Sequence, residues 1–344
     1  MLPITPELPA MEAQLVSEIP HHGRWQYEPK WDGFRCLAFR DGDRIELRSK
    51  SGQPLERYFP EVVAALRAVA AQRFVLDGEL VVQDGEQFAF DLLLQRIHPA
   101  ATRIKKLAGE YPALLIAFDL LVNEHGDNLV DQPIEIRRRQ LEQFAARYFS
   151  DNPRLALSPA STDYAQAKAW WKLVGQGLDG LVAKELGVPY GSGHRKSMVK
   201  AKKMRTADCV VGGFRYAEKS PVVGSLLLGL YDDQGLLNHV GFTSSLKALQ
   251  RKELVKLLTP LIEEPGFTGS KPGGPSRWST TRSAEWEPLK PVLVVEVQYD
   301  HFTDRFRHGT KLLRFRPDKN PQDCTYAQVL RPVRGSAALL QWAS

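Results

Sequence analysis

Trp25-Gln26-Tyr27-Glu28-Pro29-Lys30-Trp31-Asp32-Gly33-Phe34-Arg35-Cys36-Leu37-Ala38-Phe39-Arg40 alternates in the manner of β-strands, with Asp32-Gly33, a favoured turn pair, in its middle. Asp41-Gly42-Asp43 then joins this stretch to Arg44-Ile45-Glu46-Leu47-Arg48 as a hairpin.

Outward from there, Phe59–Ala71 has helical spacing with a Pro near its start. Phe74–Val82 reads as a strand interrupted by Asp77-Gly78-Glu79, and Ala113–Val122 as a buried strand. Ile134–Tyr148 and Tyr164–Gly175 are amphipathic helices, and Gly180–Lys184 is a short apolar strand. After Arg205 the pattern changes to short strands: Cys209–Tyr216, Ser225–Asp232, Leu237–Thr243, Val292–Tyr299 and Leu312–Arg316. The helix Leu246–Leu258 sits between the third and fourth. Five strands with one helix suggest a small barrel of the OB type, and strand count alone also fits a sandwich. The stretch Glu264–Glu285, rich in Gly, Pro, Ser and Thr, is expected to be a mobile loop. The fold class is α+β in two domains, 1–204 and 205–344, with the boundary near Met204–Ala207.

A chain of 344 residues with 43% hydrophobic and 25% charged residues has material for two cores, which excludes global disorder. The net charge of +6 favours an anionic partner without naming one. Its distribution says more. His194–Arg205 carries six Lys or Arg and no acid, and Arg305–Lys319 carries six against one acid. Cys36, Cys209 and Cys324 are too far apart for a CxxC pair, which argues against a zinc ribbon or a disulfide framework. The first residues have prolines and acids where a signal peptide needs a basic start, and no stretch approaches the roughly 20 apolar residues of a membrane helix. A cytoplasmic protein is expected.

Lys30 carries the sharpest chemical implication. A free lysine has a pKa near 10.4, so only about 0.04% is neutral amine at pH 7, and a nucleophilic lysine must lose its proton to nearby positive charge or desolvation. Arg35, Arg195, Lys200 and Lys202 could supply that charge, along with a divalent metal.

Lys30-x-Asp32-Gly33-x-Arg35 resembles the nucleotidyl-lysine motif of DNA ligases, RNA ligases and mRNA capping enzymes. Further segments match that superfamily in order: Arg48-Ser49-Lys50-Ser51-Gly52, Asp77-Gly78-Glu79, Phe118-Asp119-Leu120-Leu121, Asp179-Gly180-Leu181-Val182-Ala183-Lys184, Lys200-Ala201-Lys202 and Arg316-Pro317-Asp318-Lys319. The final motif, the hairpin Arg-Ser-Lys-Ser-Gly and the compact C-terminal region are most similar to ATP-dependent DNA ligases of the compact two-domain bacterial type. The resemblance implies an adenylation domain of antiparallel sheets with flanking helices, followed by an OB-fold barrel.

It also implies roles. Lys30 would carry AMP; Glu28, Arg35, Glu79, Phe118, Arg195, Lys200 and Lys202 would bind ATP, with Glu79 on the ribose and Phe118 under the adenine. Arg48 and Lys50 would hold the 5′-phosphate of a nick. Arg316, Asp318 and Lys319 would orient pyrophosphate. Asp32 and Asp179 are the metal-ligating candidates for Mg²⁺ or Mn²⁺, although Asp179 stands where many relatives have Glu, which moves the carboxylate back. Met198 stands where relatives often have Trp. The implied partner is nicked duplex DNA, with possible repair proteins, and the enzyme is expected to be a monomer working on the nucleoid in repair rather than replication. The rival readings are a capping guanylyltransferase, an RNA ligase and a non-catalytic DNA-binding protein on the same scaffold.

Overall fold

The computed structural model describes residues 1–85, 87–174, 178–195, 197–273, 285–307, 309–330 and 338–340, leaving aside the side chain of residue 87. Contacts divide the chain into two compact units, Met1–Lys202 with Val333–Ser344, and Lys203–Pro332.

Among the described residues the first unit contains ten strands: β1 (Gln14–Val16), β2 (Trp25–Lys30), β3 (Phe34–Asp41), β4 (Arg44–Ser49), β5 (Arg73–Asp84), β6 (Gln87–Phe88), β7 (Ala113–Val122), β8 (Leu155–Leu157), β9 (Gly180–Glu185) and β10 (Met198–Lys202). Its helices are α1 (Pro60–Ala68), α2 (Phe90–Leu94), α3 (Ala101–Glu110), α4 (Ile134–Tyr148) and α5 (Tyr164–Leu173). The larger sheet has the order β4-β3-β5-β7-β8, with β6 on β5, and the smaller has the order β1-β10-β9-β2. Both are mainly antiparallel, but β1 runs parallel to β10 and β8 parallel to β7.

Strand β7 is buried along its whole length because it separates two cores. Leu115 and Ala117 pack with Phe59, Leu66, Leu141 and Phe144 on one face, while Leu114 and Ile116 pack on the other with Trp31, Trp170 and Leu181. Period-two alternation therefore turns Phe118 toward the smaller sheet. Likewise Leu37 and Phe39 pack on that face with Met198 and Tyr190, so Arg35 shares their side of β3. Gly33 is a packing necessity: a Cβ there would lie 2.1 Å from the Leu80 carbonyl oxygen. Leu339 packs in the core around Trp31 and Trp170, which places residues 338–340 in the first unit rather than the second.

The second unit is built from β11 (Arg205–Ala217), β12 (Ser220–Tyr231), β13 (Leu237–Thr243), α6 (Ala248–Leu258), β14 (Glu287–Pro288), β15 (Val294–Tyr299) and β16 (Lys311–Phe315). The five expected strands and the helix are present, in the order β13-β12-β11-β15-β16 with β14 on β11. The barrel expectation is corrected to this extent: among the described residues no ladder closes β13 onto β16, although a bridge between Thr243 and Thr310 and a hydrogen bond from the Phe306 amide to the Val240 carbonyl at 2.7 Å lie near that seam. Within the expected mobile loop, Phe267 is fully buried in the core, and residues 274–284 lie outside the described residues. Among the described residues no helix is long and apolar enough to cross a membrane, which says nothing of strands that cross as a barrel.

Candidate active site

Cross-strand partners point to the same face of a sheet. In the smaller sheet the register aligns Lys30 with Gly180 and Lys202, Glu28 with Val182 and Lys200, and Gln26 with Lys184 and Met198. One face of three short strands thus gathers Glu28, Lys30, Lys200 and Lys202, while Tyr27, Leu181, Ala183 and Ala201 on the other face pack in the core beside Trp170. Between this face and the larger sheet lies a cavity of about 800 Å³ whose lining includes Lys30, Arg35, Lys50, Glu79, Phe118 and Lys200. Glu28, Lys184 and Met198 line it as well. Gly180 lets the strands approach, because a Cβ there would lie 2.2 Å from the Ala201 carbonyl oxygen.

The electrostatics of Lys30 differ from the expectation that surrounding cations lower its pKa. Its Nζ lies 2.5 Å from Asp179 Oδ2, and the same oxygen is 3.2 Å from Lys202 Nζ. Burial works to lower the Lys30 pKa, but Asp179, then Glu79 and Asp32, outweigh it and raise it. The free site holds an ammonium ion. Asp179 is 6% exposed, and Lys30 and Lys202 together overcome its burial and depress its carboxyl. Lys200 is the depressed lysine, through burial and then through Lys30, Lys202 and Lys50. Glu79 is pushed up to about 7 by burial, against the pull of Lys30 and Arg35.

Arg35 is fixed by a buried network. Its Nε and Nη2 donate to the two carboxylate oxygens of Asp77 at 2.5 Å each, and its guanidinium carbon sits 4.6 Å from the centre of the Phe118 ring. Asp77 also accepts from Tyr190 Oη at 2.7 Å, and Tyr190 Oη accepts from the Met11 amide at 2.9 Å. Burial would lower the Arg35 pKa, yet Asp77 raises it further. Lys184 Nζ lies 2.8 Å from Glu28 Oε1 and 4.8 Å from the Phe118 ring centre. Gln26 Nε2 donates to the same Glu28 oxygen at 2.7 Å. Phe118 is 8% exposed and lines the cavity between these cations.

The other first-unit candidates Lys50, Arg195 and Arg48 are each paired with an acid. Lys50 Nζ lies 3.1 Å and Arg195 Nη2 2.7 Å from one oxygen of Glu12. Arg48 is paired with Glu46, while its buried Nε has no protein partner. In the second unit Arg316 bonds Asp208 at 3.0 Å and Asp318 at 2.9 Å, with Lys319 Nζ 3.9 Å from Asp208. Arg316 holds the Asp318 carboxyl down to about 2.

The pattern of the ATP dependent DNA ligase domain matches residues 10–202, and that of the ATP dependent DNA ligase C terminal region matches residues 219–319. DNA ligase C1 of Mycolicibacterium smegmatis is 43% identical over 346 residues, and DNA ligase C of Mycobacterium tuberculosis is 40% identical over 348 residues. Each alignment covers 96% of both chains. The chain belongs to the ATP-dependent DNA ligases. The multifunctional non-homologous end joining DNA repair protein LigD of Mycobacterium tuberculosis is 30% identical over 87% of this chain and 37% of its own length.

Four residues of this ligase's site were given no role by sequence reasoning: Glu12, Asp77, Lys184 and Tyr190. Lys184 could have been found, because a lysine two positions beyond Val182 continues the cavity-facing parity of β9. Asp77 was hidden by its neighbour Glu79. Glu12 and Tyr190 give no local signal, since each meets its partners only through folding.

Proposed function

We propose that the chain seals 5′-phosphate/3′-hydroxyl nicks in duplex DNA through an AMP held covalently on Lys30, and that it does so in DNA repair. The observation that carries this reading is the position of Lys30: on the cavity face, in register with Lys202 and beside Lys200, with Phe118 and Glu79 also lining the cavity. Such a site offers a nucleophile, an aromatic platform and a carboxylate for ribose hydroxyls within one enclosure. The relation to an end-joining repair ligase supports the place in repair.

In the first step the Lys30 ammonium, whose nearest carboxylate is Asp179, gives its proton to solvent. Its Nζ then forms a bond to the α-phosphorus of ATP, and the bond from that phosphorus to the bridging oxygen breaks to release pyrophosphate. Lys200 and Lys202 stabilise charge on the α-phosphate. In the second step the 5′-phosphate of the nick, held by Arg48 and Lys50, takes the AMP from Lys30. In the third the 3′-hydroxyl displaces AMP and closes the strand.

Among the described residues no group of three or more His, Cys, Asp or Glu side chains forms a metal cage. That suits Mg²⁺ or Mn²⁺, which commonly use one or two carboxylates and complete their oxygen shell with phosphates and water. Asp179 and Asp32, both electrostatically coupled to Lys30, would hold the ion. When bound, it neutralises phosphate charge.

The second unit is proposed to act as an OB-type domain that orients pyrophosphate through Arg316, Asp318 and Lys319 during adenylation. The whole enzyme works as a monomer on nucleoid DNA in the cytoplasm. A test combines labelled ATP or GTP with nicked duplexes that carry deoxyribose or ribose at the 3′ end. AMP labelling and sealing of the all-DNA nick are expected. GMP labelling would favour a capping enzyme, and exclusive sealing of ribose ends an RNA ligase.

A further inference from the structure

Glu12 has no place in the mechanism above, yet it stands on the cavity wall and joins Lys50, which does, to Arg195, the nucleotide-binding candidate of the sequence. Its Oε2 accepts from Lys50 Nζ at 3.1 Å, from Arg195 Nε at 2.8 Å and from Arg195 Nη2 at 2.7 Å. Lys50 comes from the end of the β3–β4 hairpin and Arg195 from the segment before β10, and this carboxylate ties them together. Its backbone is anchored separately, the Glu12 amide donating to the His194 carbonyl at 3.1 Å. Three donors converging on one oxygen are the arrangement that a phosphate oxygen would take.

We propose that Glu12 is a built-in surrogate for a substrate phosphate: it holds Lys50 and Arg195 together in the free enzyme, and an arriving phosphate group displaces it and takes both cations. Resting on the assignment of the cavity to adenylyl transfer, this makes Glu12 a device that favours a phosphate-bearing substrate at the cavity wall.

The energetics permit exchange. The side chains of Lys50 and Arg195 are 56% and 66% exposed, and exposed ion pairs are weak and screened. A phosphate monoester carries about −1.5 to −2 at pH 7 and offers several strong acceptors against a single carboxylate charge. A neutral 5′-hydroxyl cannot make the exchange, so the bridge stays shut against an end that cannot be activated. The displacing group is either the 5′-phosphate of the nick or a phosphate of ATP, and the experiment separates the two.

The full-length chain is compared with Glu12→Gln, which keeps the shape and removes the charge. Binding of nicked duplex with a 5′-phosphate and with a 5′-hydroxyl is titrated at one fixed salt concentration, and the KM for ATP is measured from AMP labelling. Glu12→Gln is expected to tighten one phosphate-bearing ligand by about two- to fivefold and to leave the 5′-hydroxyl nick unchanged. A gain confined to the phosphorylated nick assigns the cations to the 5′-phosphate; a gain confined to the ATP KM assigns them to the nucleotide. The gain should vanish when Lys50→Ala and Arg195→Ala are both present. Unchanged or weaker binding in both arms, an equal gain for the 5′-hydroxyl nick, or a gain that survives loss of both cations would overturn the proposal. Failure of the wild-type chain to label with AMP would instead sink the adenylation reading, and the nick-binding arm would still report on Glu12.

Discussion

Glu79 offers a quantitative test, because its carboxyl is pushed up to about 7 and its proposed partner is the ribose of ATP. An ionised carboxylate accepts two hydroxyl hydrogen bonds, whereas a protonated one must give up part of that capacity. With a pKa near 7 the group is about 90% protonated at pH 6 and about 90% ionised at pH 8, so the usable fraction changes roughly tenfold. The KM for ATP in lysyl-AMP formation should fall by up to about tenfold between those pH values. In Glu79→Gln that fall should disappear at a uniformly higher KM. Initial labelling rates over a range of ATP concentrations, from pH 6 to 8.5, measure it, with sealing of a pre-adenylated nick as the control that needs no ATP. The same carboxyl predicts a stability effect with a definite sign. A folded pKa raised above 4.5 means that the native chain holds the proton more tightly. The stabilisation is complete below about 4.5 and is lost as pH rises through about 7. Glu79→Gln should flatten that part of the pH–stability curve. A mutant that keeps the wild-type pH dependence of both KM and stability would refute the reasoning.

Phe118→Ala should raise the KM for ATP far more than it weakens nick binding, since an aromatic platform contributes roughly 1–3 kcal/mol to stacking on a base; equal effects in the two assays would return Phe118 to the core. Tyr190→Phe removes one hydrogen bond from Asp77, about 1 kcal/mol. It should raise the KM for ATP severalfold with little change in sealing of a pre-adenylated nick, and a loss of thermal stability without a KM change would make the network purely structural. Arg316→Ala or Lys319→Ala should depress AMP labelling strongly while largely sparing a pre-adenylated nick; equal loss in both would make the motif a general DNA contact.

Much of the first unit was legible because its signals are local. The β2–β3–β4 run announces itself by alternation and Asp-Gly turns, and Ile134–Tyr148 is recovered with its expected bounds. Strand β1 was not, because Gln14–Val16 is three residues held only by parallel pairing with β10. The short helices α2 and α3 were also missed. In the second unit the strands were legible but their closure was not, since a barrel depends on pairing between its first and last strands, which no local pattern encodes. The motifs named several side chains that line one cavity without giving their balance of charge. Cations near Lys30 were visible in the sequence, whereas the approach of Asp179 to within 2.5 Å of Lys30 Nζ depends on β2 and β9 pairing across about 150 residues of chain. Glu12 was passed over for the same reason, its partners being distant in sequence.

The central claim is that Lys30, an ammonium paired with Asp179 in the free enzyme, becomes the carrier of AMP. Its most direct test is to incubate the wild-type chain with ATP labelled at the α-phosphate, digest it under conditions that preserve the phosphoramidate, and locate the label by mass spectrometry, with Lys30→Ala alongside. AMP should be found on Lys30, with none on the mutant, which should still close a pre-adenylated nick slowly because the third step does not use the amine. AMP on another residue, Lys200 or Lys202 above all, or undiminished labelling of Lys30→Ala, would contradict the account.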